Sequence, residues 1–387
     1  MLRYNKYYEK AVSIYRALHR VPEIGFELEQ TVRIVEDVLD EYGIAYTERY
    51  GRGSIVAEIG QGEKCIALRA DMDALPMQEN SGLAFSSVHQ GAMHACGHDS
   101  HTAVLLAVAG FLKENEARLG VRVRLIFQPA EECSVSGARM MLENGVMDGV
   151  DHVLAAHCDP SLPAFTLGAC KGNYMAACAP VRITCRGRSS HATVPEQGID
   201  AIAMANQVYI ELRNAVHRES QGARYIWNVG RMEGGRVHNI ICDQCEMDIS
   251  FRFYDTEFAS RMETATKSIC QRIAEEYGGE IDVDWRVSTG PVINSHSFVD
   301  ALLEIGKRDE IRVTELAPIM TSEDFGWYLT RVPGCLFRYG IGDEVFGSTK
   351  ALHTANFKIY EPAMKTAIAM FCEYVLENGK SGGQVES

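Results

Sequence analysis

The sequence predicts an α/β protein in which a mixed, largely parallel sheet carries helices and an inserted domain of order β-α-β-β-α-β. Three observations predict it. The N-terminal third alternates helix-like and strand-like segments, polar clusters recur just beyond strand ends, and the rhythm changes near residue 179 before reverting near 291. At 387 residues the chain exceeds the size at which a single core stops growing, so two domains are expected.

Taken in order, residues 6–20 and 28–42 have helical periodicity, and 54–59 and 65–70 read as strands. The segment 102–113 is an apolar helix candidate. Val121-Arg122-Val123-Arg124-Leu125-Ile126-Phe127 is a strand that runs into Gln128-Pro129-Ala130-Glu131-Glu132, and the strand 151–157 ends on His157. Then come strand 181–186, helix 199–218, strands 223–233 and 245–253, helix 257–277 and strand 280–288, the order of a ferredoxin-like unit. After Pro291 the first pattern resumes with helix 297–307, the loop Ser322-Glu323-Asp324, strand 335–340 and His353. The expected domains are therefore a discontinuous 1–178 plus 291–387 and an inserted 179–290.

Composition excludes several classes of function. The formal charge of -14 is interrupted by no long Lys/Arg block, which argues against nucleic acid and anionic membrane surfaces as partners. No stretch approaches the roughly 20 apolar residues of a membrane span, and the start MLRYNKYYEK lacks a signal-peptide hydrophobic region. Twelve scattered cysteines in such a chain read as free thiols, Cys65, Cys178 and Cys185 among them as small buried hydrophobes, and the expected location is the cytoplasm.

The densest chemistry lies in Met93-His94-Ala95-Cys96-Gly97-His98-Asp99-Ser100-His101, where a thiol, three imidazoles and a carboxylate fall within one short run. Zinc and its borderline-soft neighbours take these ligand types, and one thiolate can serve two ions. Cys96 and His98 are too close in sequence to share a helical face, so the expectation is a loop that wraps the ion, with Gly97 supplying a positive φ. His94 and His101 are either partners of the ligands or helix-cap residues. Adjacent Glu131 and Glu132 would project in opposite directions from an extended backbone, one toward metal and one toward substrate. His157 joins them at the same sheet edge, where open α/β sheets bind ligands.

Together, Leu68-Arg69-Ala70-Asp71-Met72-Asp73, Met93 to Thr102, Gln128 to Glu132, Thr321-Ser322-Glu323-Asp324-Phe325 and Leu352-His353 resemble the aminoacylase and carboxypeptidase-type family of dinuclear metallo-amidohydrolases. Within it, the chain resembles the branch acting on N-acyl amino acids and amino-acid conjugates, which includes hippurate, auxin-conjugate and N-acetyl-diaminopimelate amidohydrolases. The likeness begins at about Leu18, in Leu18-His19-Arg20-Val21-Pro22-Glu23-Ile24-Gly25, and reaches the C-terminal helix. It implies a zinc-aminopeptidase-like catalytic domain with a lid and two divalent ions per subunit, zinc or manganese, with cobalt and nickel also compatible. Cys96 would bridge the ions, His98, Glu132, His157 and His353 would complete their shells, and Glu131 would be the general base acting on a metal-bridging water. His353 is supplied by the resemblance alone. The resemblance also makes His191 an oxyanion donor that works across a homodimer formed through the lid, Asn239 and Arg252 contacts for a substrate carboxylate, and Asp71, Asp73 and Glu323 supports of the site.

The chain departs from the family pattern at Glu196, where relatives carry histidine, at Asn239-Ile240-Ile241-Cys242 in place of Asn-Val-Ile-Pro, and at Thr321 in place of glycine. These positions belong to the lid and pocket rim, so they bear on specificity. The expected activity is hydrolysis of the amide of an N-acyl-L-amino acid or small conjugate. Its rivals are a dipeptidase or carboxypeptidase with the same chemistry, and a silent sensor that kept the metal cage; Glu131 speaks against the sensor, which needs no base.

Overall fold

The computed structural model describes residues 2–309 and 311–378. Two compact units divide the chain: Met1–Tyr174, Val292–Pro318 and Asp324–Ser387 form the first, and Met175–Pro291 with Ile319–Glu323 the second.

An eight-stranded sheet underlies the first unit. Its central strands, in the order Arg122–Gln128, Cys65–Asp71, His152–Pro163 and Gly334–Gly342, are all parallel. Ile55–Ile59 and Tyr46–Thr47 continue one side antiparallel. On the other side Thr166–Ala169 runs antiparallel to its neighbour and Arg312–Glu315 parallel to Thr166–Ala169. Strands covered on both faces read as continuous apolar runs, and Cys65–Asp71 is buried throughout. The helix Asn5–Arg20 buries Ala11, Ile14, Tyr15, Leu18 and His19, a stripe at helical spacing. It packs on His98–Glu114, which is buried from His98 to Leu112 and also meets Met364–Asn378.

Two local differences from the sequence reading matter for the site. The buried helix starts at His98, a full turn before 102, so Cys96 stays on a loop while His98 opens the helix. Gly97 makes the junction at φ 85, and a Cβ there would stand 2.4 Å from Cys158 Sγ, so no other residue fits. The strand carrying His157 runs on to Pro163 because Gly334–Gly342 pairs beside it to that point. His157 therefore lies within a strand rather than at its end.

In the second unit an antiparallel sheet has the order Glu280–Trp285, Ala177–Arg186, Gln244–Phe253, Tyr225–Gly234. Its helices Ala201–Glu219 and Thr256–Tyr277 complete the sequence β-α-β-β-α-β. Each helix starts on an aspartate cap: Asp200 accepts from the amides of Ile202 and Ala203, and Asp255 from those of Glu257 and Phe258.

Arg69 is the charge that the apolar strand Cys65–Asp71 must accommodate. It donates Nε to Gln128 Oε1 at 2.8 Å, Nη1 to Asp71 Oδ2 at 2.7 Å and Nη2 to Asp324 Oδ1 at 2.9 Å. Asp324, fully buried, also accepts from Gln128 Nε2, Ser136 Oγ and the Ala138 amide. Removing one partner of a buried charge network leaves the other uncompensated. Asp324→Ala is therefore expected to cost about 3–5 kcal/mol, read as a lower urea midpoint; a change below about 1 kcal/mol would contradict this role, since surface substitutions cost that little.

Candidate metal centre

The candidate ligands of the first unit converge as side chains from four separate segments. Cys96, 8% exposed, places Sγ 3.5 Å from His157 Nε2 and 3.3 Å from His353 Nε2. His353 Nε2 is in turn 2.9 Å from Glu132 Oε1, and His98 Nε2 is 3.9 Å from Glu131 Oε2. Ligand atoms of Cys96, His98 and His157 lie within 4.8 Å of one another, as do those of Cys96, Glu132 and His353, and those of His98, Glu131 and Glu132. Cys96 Sγ is common to the first two groups.

Hydrogen bonding of the rings decides which nitrogens are available. His98 Nδ1 donates to the Asp73 carbonyl at 2.8 Å and His157 Nδ1 to the Cys158 carbonyl at 2.7 Å, which makes Nε2 of each the atom that an ion would take, displacing any proton there. His98 Nε2 is buried without a hydrogen-bond partner, an arrangement that folding alone does not favour and a cation satisfies. His101 differs. Its Nδ1 meets Asp71 Oδ1 at 2.6 Å and its Nε2 accepts the Cys158 amide at 2.9 Å, so neither nitrogen remains for an ion.

The local field also favours cations. Burial opposes charge on His98, but Asp71 and then Asp73 and Glu132 outweigh it and lift the imidazole to about 10. Burial, followed by Glu132 and Glu131, pushes the Cys96 thiol well above its ordinary range, so only a cation at the sulfur would make it a thiolate. The donor set of thiol sulfur, imidazole and carboxylate, with His98 Nε2 left unpartnered, fits two divalent ions.

Glu131 and Glu132 do not diverge as an extended backbone would have them. Ala130 takes φ 53, and the turn brings both carboxylates to His98. Asp73 fixes the turned backbone, its Oδ1 accepting the Glu131 amide at 2.9 Å and its Oδ2 the Glu132 amide at 3.1 Å. Gly137 closes the turn from the other side, since a Cβ there would overlap the Pro129 carbonyl at 1.7 Å. His353 is likewise left-handed, at φ 60. Such non-glycine residues cost about 1–3 kcal/mol each and cluster at functional sites.

The remaining sequence-derived candidates, His191, Asn239, Arg252 and Glu323, belong to the second unit. His191 bridges to Ile240 and the Ala192 amide donates to Asn239 O at 3.0 Å, so His191 and Asn239 share one exposed corner. Its Nδ1 lies 2.8 Å from Thr193 Oγ1 and accepts the Thr193 amide, which leaves Nε2–H as a donor. Arg252 donates to Ser322 Oγ at 2.8 Å and to Met320 O at 3.2 Å, which ties the 319–323 segment to the sheet. Glu323 is buried.

A largely parallel α/β sheet with two candidate ligand groups that share Cys96 Sγ fits a metallohydrolase of the dinuclear kind. The chain belongs to Peptidase family M20/M25/M40, whose model matches residues 67–377. It is 33% identical to the N-acetyl-L-cysteine deacetylase of Bacillus subtilis (strain 168) over 92% of this chain and 88% of that one. It is 32% identical to thermostable carboxypeptidase 1 of Saccharolobus solfataricus over 92% and 91%. Among solved structures, the Bacillus subtilis YXEP protein, a dinuclear metal binding peptidase from the M20 family, superposes with a TM-score of 0.83 at 30% identity, covering 98% of this chain and all of that one.

Proposed function

We propose that this M20 hydrolase cleaves the linear amide of an N-acyl amino acid or small amino-acid conjugate, with Glu131 as the general base. The observation that carries the reading is Cys96 Sγ, shared between two ligand groups with Glu131 beside them. Cys96, His98 and His157 would hold one divalent ion, and Cys96, Glu132 and His353 the other; zinc or manganese suits this set, and cobalt and nickel are compatible. When bound, the pair supplies Lewis acidity toward the scissile carbonyl and lowers the pKa of water.

Glu131 removes a proton from the attacking water and returns it to the departing nitrogen, so that water adds across the C–N bond and an acid and an amine leave. Its backbone amide, held by Asp73, fixes where that carboxylate can reach. His191 Nε2–H is the oxyanion donor in a homodimer built through the second unit, a lid, with Asn239 and Arg252 on the substrate carboxylate. The polar partner of Arg252 in that role competes with Ser322. A deacetylase of N-acetyl-L-cysteine and a carboxypeptidase both release an amino acid from an acyl group, and that shared amide is the substrate class assigned here. The described residues contain no helix long and apolar enough to cross a membrane, and the twelve cysteines are free, which supports a reducing, cytoplasmic location.

Amine release measured by mass spectrometry from N-acetyl, N-benzoyl and long-chain N-acyl amino acids beside dipeptides tests the assignment. Cleavage of the acyl amino acids is expected. Cleavage confined to dipeptides would make the chain a dipeptidase.

A further inference from the structure

The motif from Leu18 to Gly25 and the irregular run 76–92 supply no ligand, yet they enclose a buried charge cluster. His19, 1% exposed, directs Nδ1 at Asp99 Oδ2, 2.6 Å away, and Nε2 at Glu79 Oε1, 3.2 Å away. With a carboxylate at each nitrogen both can donate; burial opposes the charge, but the bonds to Asp99 and Glu79 outweigh it and lift the imidazole to about 9. Glu79 also accepts the Ser87 amide at 2.6 Å and the Ser81 hydroxyl. Phe85 covers the cluster edge-on, its ring 5.5 Å from that of His19. A bridge between Leu75 and Met93 closes the run at its base. Long irregular segments of this kind need an internal anchor, and Glu79 is that anchor.

The cluster adjoins the ligands from two directions. Asp99 directly follows His98. Asn80 directly follows Glu79, and its amide donates to the Ala355 carbonyl at 2.7 Å. His353, two residues before Ala355, has a half-exposed side chain and a left-handed backbone, in a segment outside helix and strand. Its amide donates to Ala95 O at 2.9 Å, beside Cys96.

We propose that the His19–Glu79 pair is a positioning device for the second ligand group: by fixing Asn80 it fixes the Ala355 segment, and so holds the His353 imidazole against Cys96 Sγ and Glu132. The inference rests on the two-ion reading above. Neither His19 nor Glu79 touches a reacting atom; they act through the loop. Asp99 gives the same imidazole a hold on the turn that carries His98, so one buried cation ties together segments that serve both ions.

Cobalt titration of metal-depleted protein, followed by visible absorption with its thiolate-to-cobalt band, reads the two affinities separately. The wild type is expected to take two ions. Glu79→Gln, which keeps the shape but loses the charge that pairs with His19, is expected to bind the first as before and the second about tenfold or more weakly, the effect typical of outer supports of a metal site. Ser81→Ala is expected to fall between the two, and Glu114→Gln, an exposed partner of Lys6, to match the wild type. If Glu79→Gln loses its fold by circular dichroism, Ser81→Ala decides by the same criterion. A second ion bound as tightly as in the wild type, or both ions weakened equally, overturns the inference while the two-ion reading stands. A wild type that takes fewer than two ions overturns that reading, and the inference with it.

Discussion

Glu131→Gln is expected to lower kcat about a thousandfold, within the 10²–10⁴ range of a positioned acid–base group, with KM and metal content unchanged. The substitution keeps the volume of the side chain and leaves the backbone amides that Asp73 grips, so the turn at Ala130 should survive. What it removes is the carboxylate proposed to accept the proton. Steady-state kinetics on an N-acetyl amino acid, with metal content measured on the same samples, checks the prediction. Turnover within threefold of the wild type would contradict the assignment, and loss of metal together with activity would move Glu131 from base to ligand.

Cys96→Ser is expected to cost both ions at once. The sulfur belongs to both ligand groups, with His157 on one side and His353 on the other. A serine hydroxyl stays protonated at neutral pH and is a poor ligand for either ion. The loss should exceed the roughly 10–100-fold that removal of an outer-shell partner causes. Metal content by plasma mass spectrometry after dialysis should fall from two ions per chain to below one; two retained ions would show that the thiol is not shared.

The sheet and most of the site were legible in the sequence because each leaves a local pattern. Continuous apolar runs such as 65–70 mark strands covered on both faces, and the density of ligand types around Cys96 and His98 has no common structural cause. His353 left no such trace. Its place depends on a left-handed backbone, on its own amide donating to the Ala95 carbonyl, and on the Asn80 amide donating to the Ala355 carbonyl two residues on, which no spacing rule encodes. The convergence of Glu131 and Glu132 was hidden for the same reason, because it turns on one dihedral at Ala130. His101 shows the opposite limit: its residue type suits a ligand, and only the Cys158 amide on Nε2 removes it. In Ser322-Glu323-Asp324 the sequence drew attention to Glu323, whereas Asp324 holds the buried network. The signal for that network was present as Arg69, a charge inside an apolar strand that demands a buried anion.

The most direct measurement of the central claim is amine release from an N-acetyl amino acid by protein loaded with zinc or manganese, before and after chelation. Release that disappears with chelator and returns when two ions per chain are restored is the predicted result. Release that persists after both ions are removed, or none across the N-acyl panel with both ions bound, would contradict it.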